Sequence, residues 1–97
     1  MHFEWDEAKN RENVRRHGIS FQDAKKVFDD PFHISVLDKR FDYFDERWIT
    51  IGSAMDKHVI VIGHLYYLKE NGDEVIRIIT ARKAIKKERE QYENIGK

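Results

Sequence analysis

The stretch VIVIGHLYYL, residues 59–68, is the most apolar segment of the chain and determines the predicted fold. Its content of Val, Ile and Tyr favours a central β-strand that is buried on both faces over a helix. Asn71-Gly72 follows this segment and is the strongest turn signal in the sequence. The turn leads into VIRIIT, residues 75–80, so that the two segments predict an antiparallel hairpin.

Strand-like alternation also precedes the central segment. Residues 47–53 place Ile49 and Ile51 on one face, and residues 32–36 alternate in the same way. Residues 3–5 are sufficient for a short additional strand. The three strands from residue 47 onward therefore predict a meander of antiparallel hairpins.

Helical patterns flank these strands on both sides. The first predicted helix covers about residues 6–17, between Asp6 as N-cap and Gly18 as the helix-ending residue. The second covers about residues 20–29, and a third begins near Lys83. The order predicts an α+β fold, with two N-terminal helices and one C-terminal helix on an antiparallel sheet of three to five strands.

The composition excludes several classes of protein. The chain has 97 residues, which is enough for one domain over residues 1–97 but not for two. It contains no Cys, which excludes a disulfide scaffold, Cys-ligated zinc and a thiol nucleophile. No basic and then apolar leader opens the sequence, and the longest apolar run is about half of a membrane span. We therefore expect a cytoplasmic protein.

The charges cancel in number but are separated along the chain. The 18 basic residues equal the 18 acidic residues, yet the basic clusters at 9–16 and 77–89 each contain a single acid. Such local clusters can hold phosphates even on a neutral protein. Solvated helix faces are the other interpretation, and the sequence leaves both open.

The sequence lacks the motifs of several common enzyme sites. His58 and His64 are six positions apart, roughly 20 Å along a strand, which is too far to share a metal ion. The glycines form no phosphate-binding loop, and no G-x-S-x-G motif marks a serine hydrolase. We therefore predict no metal and no cofactor. Cleavage of RNA remains possible, because RNA carries its own nucleophile, the 2′-hydroxyl, and the protein needs only to orient it, move protons and stabilise charge.

Two of the candidate residues for this chemistry, His17 and Arg77, also have a purely structural interpretation. His17 can act as an acid or base near neutral pH, or can interact with the negative end of the first helix. Arg77 can hold a phosphate, or can point to solvent from one face of a strand. Arg82, Lys86 and Arg89 have the i, i+4, i+7 spacing of one basic stripe on a helix.

Three aromatic residues lie in the acidic segment of residues 38–46: Phe41, Tyr43 and Phe44. They can stack on bases or anchor a partner protein. The second interpretation is favoured, because the nearby acids repel an RNA backbone.

Two segments of the chain resemble the signatures of BrnT-type toxins. The first includes FEWD at 3–6 and HGISF at 17–21, and the second is RIITARKA at 77–84, with Thr80 where serine is common. The resemblance is collinear and extends over nearly the whole chain. It implies a RelE-like fold and a ribonuclease that blocks translation as part of a type II toxin–antitoxin system.

The same resemblance implies the partners. They are a BrnA-type antitoxin with a ribbon-helix-helix domain, the RNA substrate, and operator DNA that is bound through the antitoxin. The complex is expected to be a dimer of heterodimers that represses its own promoter.

The resemblance also points to site residues by position. We predict His17 or Glu46 as the base, Arg77 and Arg82 on the phosphate, and Lys9 as a phosphate contact. The predicted catalytic set is His17, Arg77, Arg82 and Glu46, and the predicted RNA-binding set is Lys9, Arg47, Lys83, Lys86 and Arg89. Lys9, His17, Arg77 and Arg82 rank first by the resemblance, and Glu46, Arg47 and Glu88 rank second. Two alternatives are a non-enzymatic module that binds the antitoxin and acts as a co-repressor, and an interaction domain unrelated to nucleic acid.

Overall fold

The computed structural model describes residues 1–40, 46–55 and 58–95. Within these ranges the elements in chain order are β1 (His2–Glu4), α1 (Glu7–His17), α2 (Phe21–Ala24), a 3-10 helix (Lys25–Asp29), β2 (Ile34–Leu37), β3 (Trp48–Ala54), β4 (His58–Leu68), β5 (Glu74–Lys83) and α3 (Lys86–Ile95). No helix in the described part of the chain has the length and apolar character needed to span a membrane.

The five strands form one sheet in the order β1-β5-β4-β3-β2, with β4 at its centre. Strands β2, β3, β4 and β5 pair antiparallel with one another in this order, which confirms the meander predicted for the last three. Strand β1 instead runs parallel to β5, with Phe3 opposite Ile76. The α+β class is therefore confirmed, but the predicted antiparallel sheet is wrong. The sheet is mixed, because the N-terminal strand pairs with the outer edge of β5 without a hairpin between them.

Local hydrogen bonds define the two ends of α1. The Oδ1 atom of Asp6 accepts from the backbone N–H of Ala8 at 2.8 Å and of Lys9 at 3.1 Å. These two hydrogen bonds hold the pKa of Asp6 below its usual value, and the bond from Lys9 has the larger effect. Gly18 adopts the left-handed conformation with φ of 71° and ends the helix. The caps therefore fix Lys9 in the first turn and His17 in the last.

Alternate residues of β4 belong to two different cores. Ile60 and Ile62 pack in the larger core, against the helical segment that follows α1. Val59 and Val61 pack in the smaller core, where Tyr92 of α3 covers them. The first half of β4 is thus buried on both faces, as its sequence predicts.

The C-terminal helix begins at Lys86 and not near Lys83. Arg82 still belongs to β5, where it pairs with Val61 of β4. The predicted helical stripe of Arg82, Lys86 and Arg89 is therefore wrong, because pairing with β4 keeps the first of these residues in an extended strand.

Helix α1 lies beside the end of β5, and the side chain of Asn13 joins the two. This side chain is only 6% exposed. Its Nδ2 atom donates to the carbonyl oxygens of Ala81 and Ile19, both at 2.8 Å, and its Oδ1 atom accepts from the N–H of Ala81 at 3.1 Å. Asn13 thus gives the edge of β5 the bonds that a neighbouring strand would give.

A β-bulge interrupts β5 where it passes the middle of β4. His64 pairs with Ile78, but Gly63 pairs with Thr80, so that Ile79 has no partner in the ladder. The strand continues through the bulge and ends at Lys83.

The bulge reverses which residues of β5 face the larger core. Ile78 before the bulge and Ala81 after it both pack there, although an odd number of positions separates them. Thr80 and Arg82 consequently face the other side of the sheet, as Arg77 does before the bulge. Without the extra residue, Arg77 and Arg82 would lie on opposite faces.

Gly52 allows β3 to pack closely against the 3-10 helix. A Cβ atom at this position would lie 2.7 Å from Val27 Cγ1, 3.1 Å from His33 Cβ and 3.2 Å from the Val27 carbonyl oxygen. We expect Gly52→Ala to lower the free energy of unfolding in urea by about 1–3 kcal/mol, because the contact includes backbone atoms that cannot move away. Ser53→Ala on the same strand is the matched control, with an expected change of less than about 0.5 kcal/mol. Equal stabilities of the two variants would contradict this packing.

Candidate functional site

A cleft of about 250 Å³ lies between α1 and the bulge of β5, and we call it the helix cleft. Lys9, Arg16 and His17 reach it from one side of α1, since positions seven and eight apart lie on the same face of a helix. Ile79 and Thr80 line it from β5. The helix therefore presents its basic side chains to the bulge.

Basic residues outnumber acidic residues in the lining of the helix cleft, with Lys9 and Arg16 against Glu12. Within the described residues, Lys9 and Arg16 form neither an ion pair nor a side-chain hydrogen bond. Glu12 also lines the cleft, but its Oε2 atom accepts from Arg15 Nε at 2.9 Å. The hydrogen bond from Arg15 lowers the pKa of Glu12, so that this carboxylate stays ionised and is paired with Arg15, which does not line the cleft. Such a cleft attracts an anion.

A second cleft, of about 160 Å³, lies on the α3 side of the sheet, and we call it the sheet cleft. Arg40, Arg47 and Arg82 contribute to its lining. Arg40 is held by Asp38, with Nε at 2.9 Å from Oδ1. The cleft is therefore rich in guanidinium groups, which match the geometry of phosphate oxygens.

The helix cleft and the sheet cleft meet at the bulge, because Ile79 and Thr80 line both of them. Lys9 and His17 approach this junction from α1, and Arg82 approaches it from the end of β5. The structure thus brings together residues that are more than 60 positions apart in the sequence.

Arg82 is oriented by Glu88 at the start of α3. Its Nη1 and Nη2 atoms donate to the two carboxylate oxygens at 2.8 and 2.9 Å, and Nη1 also donates to the Lys83 carbonyl at 3.3 Å. This bidentate pair raises the pKa of Arg82 and lowers that of Glu88. Glu88 also accepts from the N–H of Ile85 at 2.9 Å and so caps the helix. Arginine has five N–H donors, so that others remain for a ligand in the cleft.

Arg77 has a different environment. Its Nη1 atom donates to Glu4 Oε2 at 2.9 Å, and the hydroxyl of Tyr67 donates to the other oxygen of the same carboxylate. Arg77 thus links β5 to β1 and is not among the residues that line the two clefts. Its predicted place on the phosphate stays a prediction.

The other predicted residues lie at the margins of the site. Glu46 is exposed and directly precedes Arg47, which lines the sheet cleft. Lys83, Lys86 and Arg89 are exposed around the start of α3, and Arg89 donates to the Ala84 carbonyl at 3.2 Å. The aromatic residues Phe41, Tyr43 and Phe44 lie outside the described residues.

A separate apolar cavity of about 250 Å³ lies on the side of the larger core. His64 lines it and is hydrogen-bonded to Thr50, with Nε2 2.7 Å from Oγ1, and Thr50 Oγ1 lies 2.7 Å from Ser35 Oγ. Burial lowers the pKa of His64, which keeps the ring neutral. This chain of mutually bonded groups is typical of a core histidine and not of a group that exchanges protons with a substrate.

The predicted site residues do not include Arg16, Thr80 or Asn13. The spacing of Lys9, Asn13 and Arg16 on one helix face is a signal that would have found two of them. Thr80 has no comparable signal, because only the bulge turns it toward the clefts.

Comparison with known proteins places this chain in a family. A family model described as the ribonuclease toxin BrnT of type II toxin–antitoxin systems matches residues 5–88. The 1.1 Å crystal structure of the Brucella abortus ribonuclease toxin BrnT is similar in fold, with a TM-score of 0.61 and 23% identity over 89% of this chain and 99% of that chain. Comparison with curated proteins gave no match. Since the family model covers α1, the bulge and Arg82, the chain belongs to the BrnT family of ribonuclease toxins of type II toxin–antitoxin systems.

Proposed function

We propose that this toxin is an RNA endonuclease that needs no metal ion and uses the 2′-hydroxyl of its substrate as the nucleophile. The supporting observation is the meeting of the helix cleft and the sheet cleft, which brings Lys9, His17 and Arg82 around one junction. A phosphodiester at this junction is within reach of cations from two sides, which stabilises the charge that develops during cleavage. Cleavage of RNA in the cytoplasm then inhibits translation.

In the proposed reaction, His17 removes the proton of the 2′-hydroxyl, and the 2′ oxygen forms a bond to phosphorus. The bond from phosphorus to the 5′ oxygen breaks, and the leaving oxygen takes a proton from water in the open cleft. The products are a 2′,3′-cyclic phosphate and a 5′-hydroxyl. Arg82 and Lys9 bind the non-bridging oxygens, which carry more negative charge in the transition state. Glu46 is the second candidate for the base.

Binding of the RNA chain extends beyond the scissile phosphate. Arg16 in the helix cleft and Arg47 in the sheet cleft are placed to bind neighbouring phosphates. Lys83, Lys86 and Arg89 add positive charge at the exposed start of α3. Because such contacts release counterions, we expect substrate affinity to fall with increasing salt.

The antitoxin partner follows from the family. We infer that it is a BrnA-type protein with a ribbon-helix-helix domain, and that the complex is a dimer of heterodimers that binds operator DNA through the antitoxin and represses its own operon. The signature segments at 3–21 and 77–84 support this inference, as they do a RelE-like fold.

The decisive experiment is to incubate the antitoxin-free protein with single-stranded RNA, with and without EDTA. We expect cleavage under both conditions and fragments that end in 2′,3′-cyclic phosphates. Cleavage that EDTA abolishes would contradict the metal-independent mechanism. A folded protein that binds the antitoxin but does not cleave RNA would favour the alternative of a non-enzymatic module.

Replacement of His17 tests its role as the base. We expect His17→Ala to lower the cleavage rate by about 100- to 10,000-fold, which is the usual contribution of a positioned base. His17 is exposed, so its loss is expected to change the melting temperature little. His58→Ala removes an exposed histidine outside both clefts and is the matched control, with activity close to that of the parent protein. If His17→Ala cleaves RNA at the normal rate, His17 is not the base and interacts only with the negative end of α1.

A further inference from the structure

We infer that Thr80 is a catalytic residue of this toxin and that its hydroxyl donates a hydrogen bond to a non-bridging oxygen of the scissile phosphate. This inference rests on the proposed function, since it assigns a new residue to the same reaction. Thr80 is exposed and lines both the helix cleft and the sheet cleft. A phosphate at the junction of the clefts therefore lies beside this side chain.

The hydroxyl of Thr80 is available for such a contact. Within the described residues it forms no hydrogen bond, whereas the hydroxyls of Thr50 and Tyr92 are both bonded to other side chains. Thr80 lines the helix cleft together with basic residues of α1, and it lines the sheet cleft together with Arg82. A neutral donor there can complete the coordination of an oxyanion that the cations only attract.

The β-bulge explains why a threonine is placed at this junction. In a regular strand, the side chain of residue 80 would point to the same side of the sheet as Ile78, which is the side of the larger core. The unpaired Ile79 instead shifts Ala81 into the core and turns Thr80 to the side of Arg82. Bulges often redirect a side chain next to an active site, and here the redirected side chain carries a hydroxyl.

Gly63 on β4 leaves the space that this hydroxyl occupies. It pairs with Thr80, and a Cβ atom at position 63 would lie 2.8 Å from Thr80 Oγ1. The atom in contact belongs to a side chain and not to the backbone, so that a change of the Thr80 χ1 rotamer would move the hydroxyl while the strands remain paired. Gly63 also lines the sheet cleft, which places the hydroxyl at the edge of that cleft.

The stiffness of threonine suits the role. A β-branched side chain has few χ1 rotamers, so that its hydroxyl loses little freedom when it binds the phosphate. We expect the bond to strengthen as negative charge grows on the phosphate oxygen, and therefore to affect kcat more than KM.

Two substitutions of Thr80 separate the hydroxyl from the shape of the side chain. We expect Thr80→Val, which keeps the shape, to lower the kcat for RNA cleavage by about 10- to 100-fold, the usual effect of losing a hydrogen bond to a charged group. Thr80→Ser keeps the hydroxyl and is expected to remain within about fivefold of the parent protein. Because position 80 is exposed, both variants are expected to melt near the parent temperature.

Gly63→Ala moves the hydroxyl without removing it and gives an independent test. We expect this change to lower cleavage in the parent protein and to have no further effect in a Thr80→Ala background, where no hydroxyl remains to be displaced. An equal loss in both backgrounds would mean that the methyl group blocks the cleft itself, and would overturn the inference.

The outcomes distinguish the role of Thr80 from the proposed function as a whole. If the parent protein cleaves RNA and Thr80→Val cleaves it equally well, the inference about Thr80 is wrong and the proposed function stands. The inference is also wrong if Thr80→Ser loses as much activity as Thr80→Val. If the parent protein leaves RNA intact, the proposed function fails, and the role of Thr80 fails with it.

Discussion

Replacing Arg82 with Ala is expected to lower the rate of RNA cleavage by about 100- to 1,000-fold, as the removal of one preorganised donor to a developing oxyanion does in other enzymes. The reason is the position of the guanidinium group, which lines the sheet cleft and is held by the two hydrogen bonds that it donates to the carboxylate of Glu88. A group fixed in this way does not need to be ordered when the substrate binds. The measurement is the single-turnover cleavage rate of a labelled RNA.

The loss of stability in the same variant is expected to be much smaller. The pair of Arg82 and Glu88 is partly exposed, with side chains 35% and 21% accessible, so that solvent screens much of its energy. Breaking it is expected to cost about 1 kcal/mol, a small part of the 5–15 kcal/mol that stabilises a typical domain. The variant therefore remains folded, and its loss of activity can be assigned to the site.

Glu88→Gln is the sharpest control for Arg82. It breaks the same ion pair but leaves the guanidinium in place, and its amide oxygen can still accept from the N–H of Ile85. We expect it to destabilise the protein about as much as Arg82→Ala and to lower cleavage somewhat, because Arg82 is less firmly oriented, but by much less than Arg82→Ala does. Lys26→Ala removes one positive charge outside both clefts and controls for net charge. If Glu88→Gln loses as much cleavage as Arg82→Ala, the role of Arg82 is structural.

The local features of the fold could be predicted because each has a nearby cause. The caps of α1 at Asp6 and Gly18 involve residues within one turn of the helix ends, and the two strands that flank Asn71-Gly72 are close in sequence. The pairing of β1 with β5 had no such signal, since Phe3 and Ile76 meet only through the tertiary fold. Sequence patterns indicate which segments form strands much better than which distant strands pair.

The sequence indicates which charged residues belong to the candidate site but not how the fold arranges them in space. Strand periodicity places Arg77 and Arg82, five positions apart, on opposite faces, and no glycine or proline in residues 77–82 indicates the bulge that brings them to one face. The role of Glu88 as the partner of Arg82 also depends on where β5 ends and α3 begins. The predicted roles of Phe41 and Phe44 stay predictions.

Replacing Asn13 with Ala is expected to lower the free energy of unfolding by about 3–5 kcal/mol, because it leaves three buried backbone groups without hydrogen bonds. These groups are the N–H and carbonyl of Ala81 and the carbonyl of Ile19, in residues that are completely buried. Chemical denaturation measures the loss. Asn94→Ala on the exposed side of α3 is the control, with an expected change below about 0.5 kcal/mol.

Asn13→Asp distinguishes the loss of the hydrogen bonds that the amide donates from the loss of side-chain volume, since the two side chains have nearly the same shape. The carboxylate can still accept from the N–H of Ala81, but it cannot donate to the two carbonyl oxygens that it would face at neutral pH. Burial beside these oxygens is expected to raise the pKa of the new carboxyl group, so that its neutral form stabilises the fold at low pH and this stability is lost as the pH rises through the raised pKa. A variant as stable as the parent at pH 7 would show that the amide does not donate to β5.

Because the same amide fixes α1 beside the bulge, we expect either change at Asn13 to misplace Lys9 and His17 as well, and to reduce cleavage even at temperatures where the protein is folded.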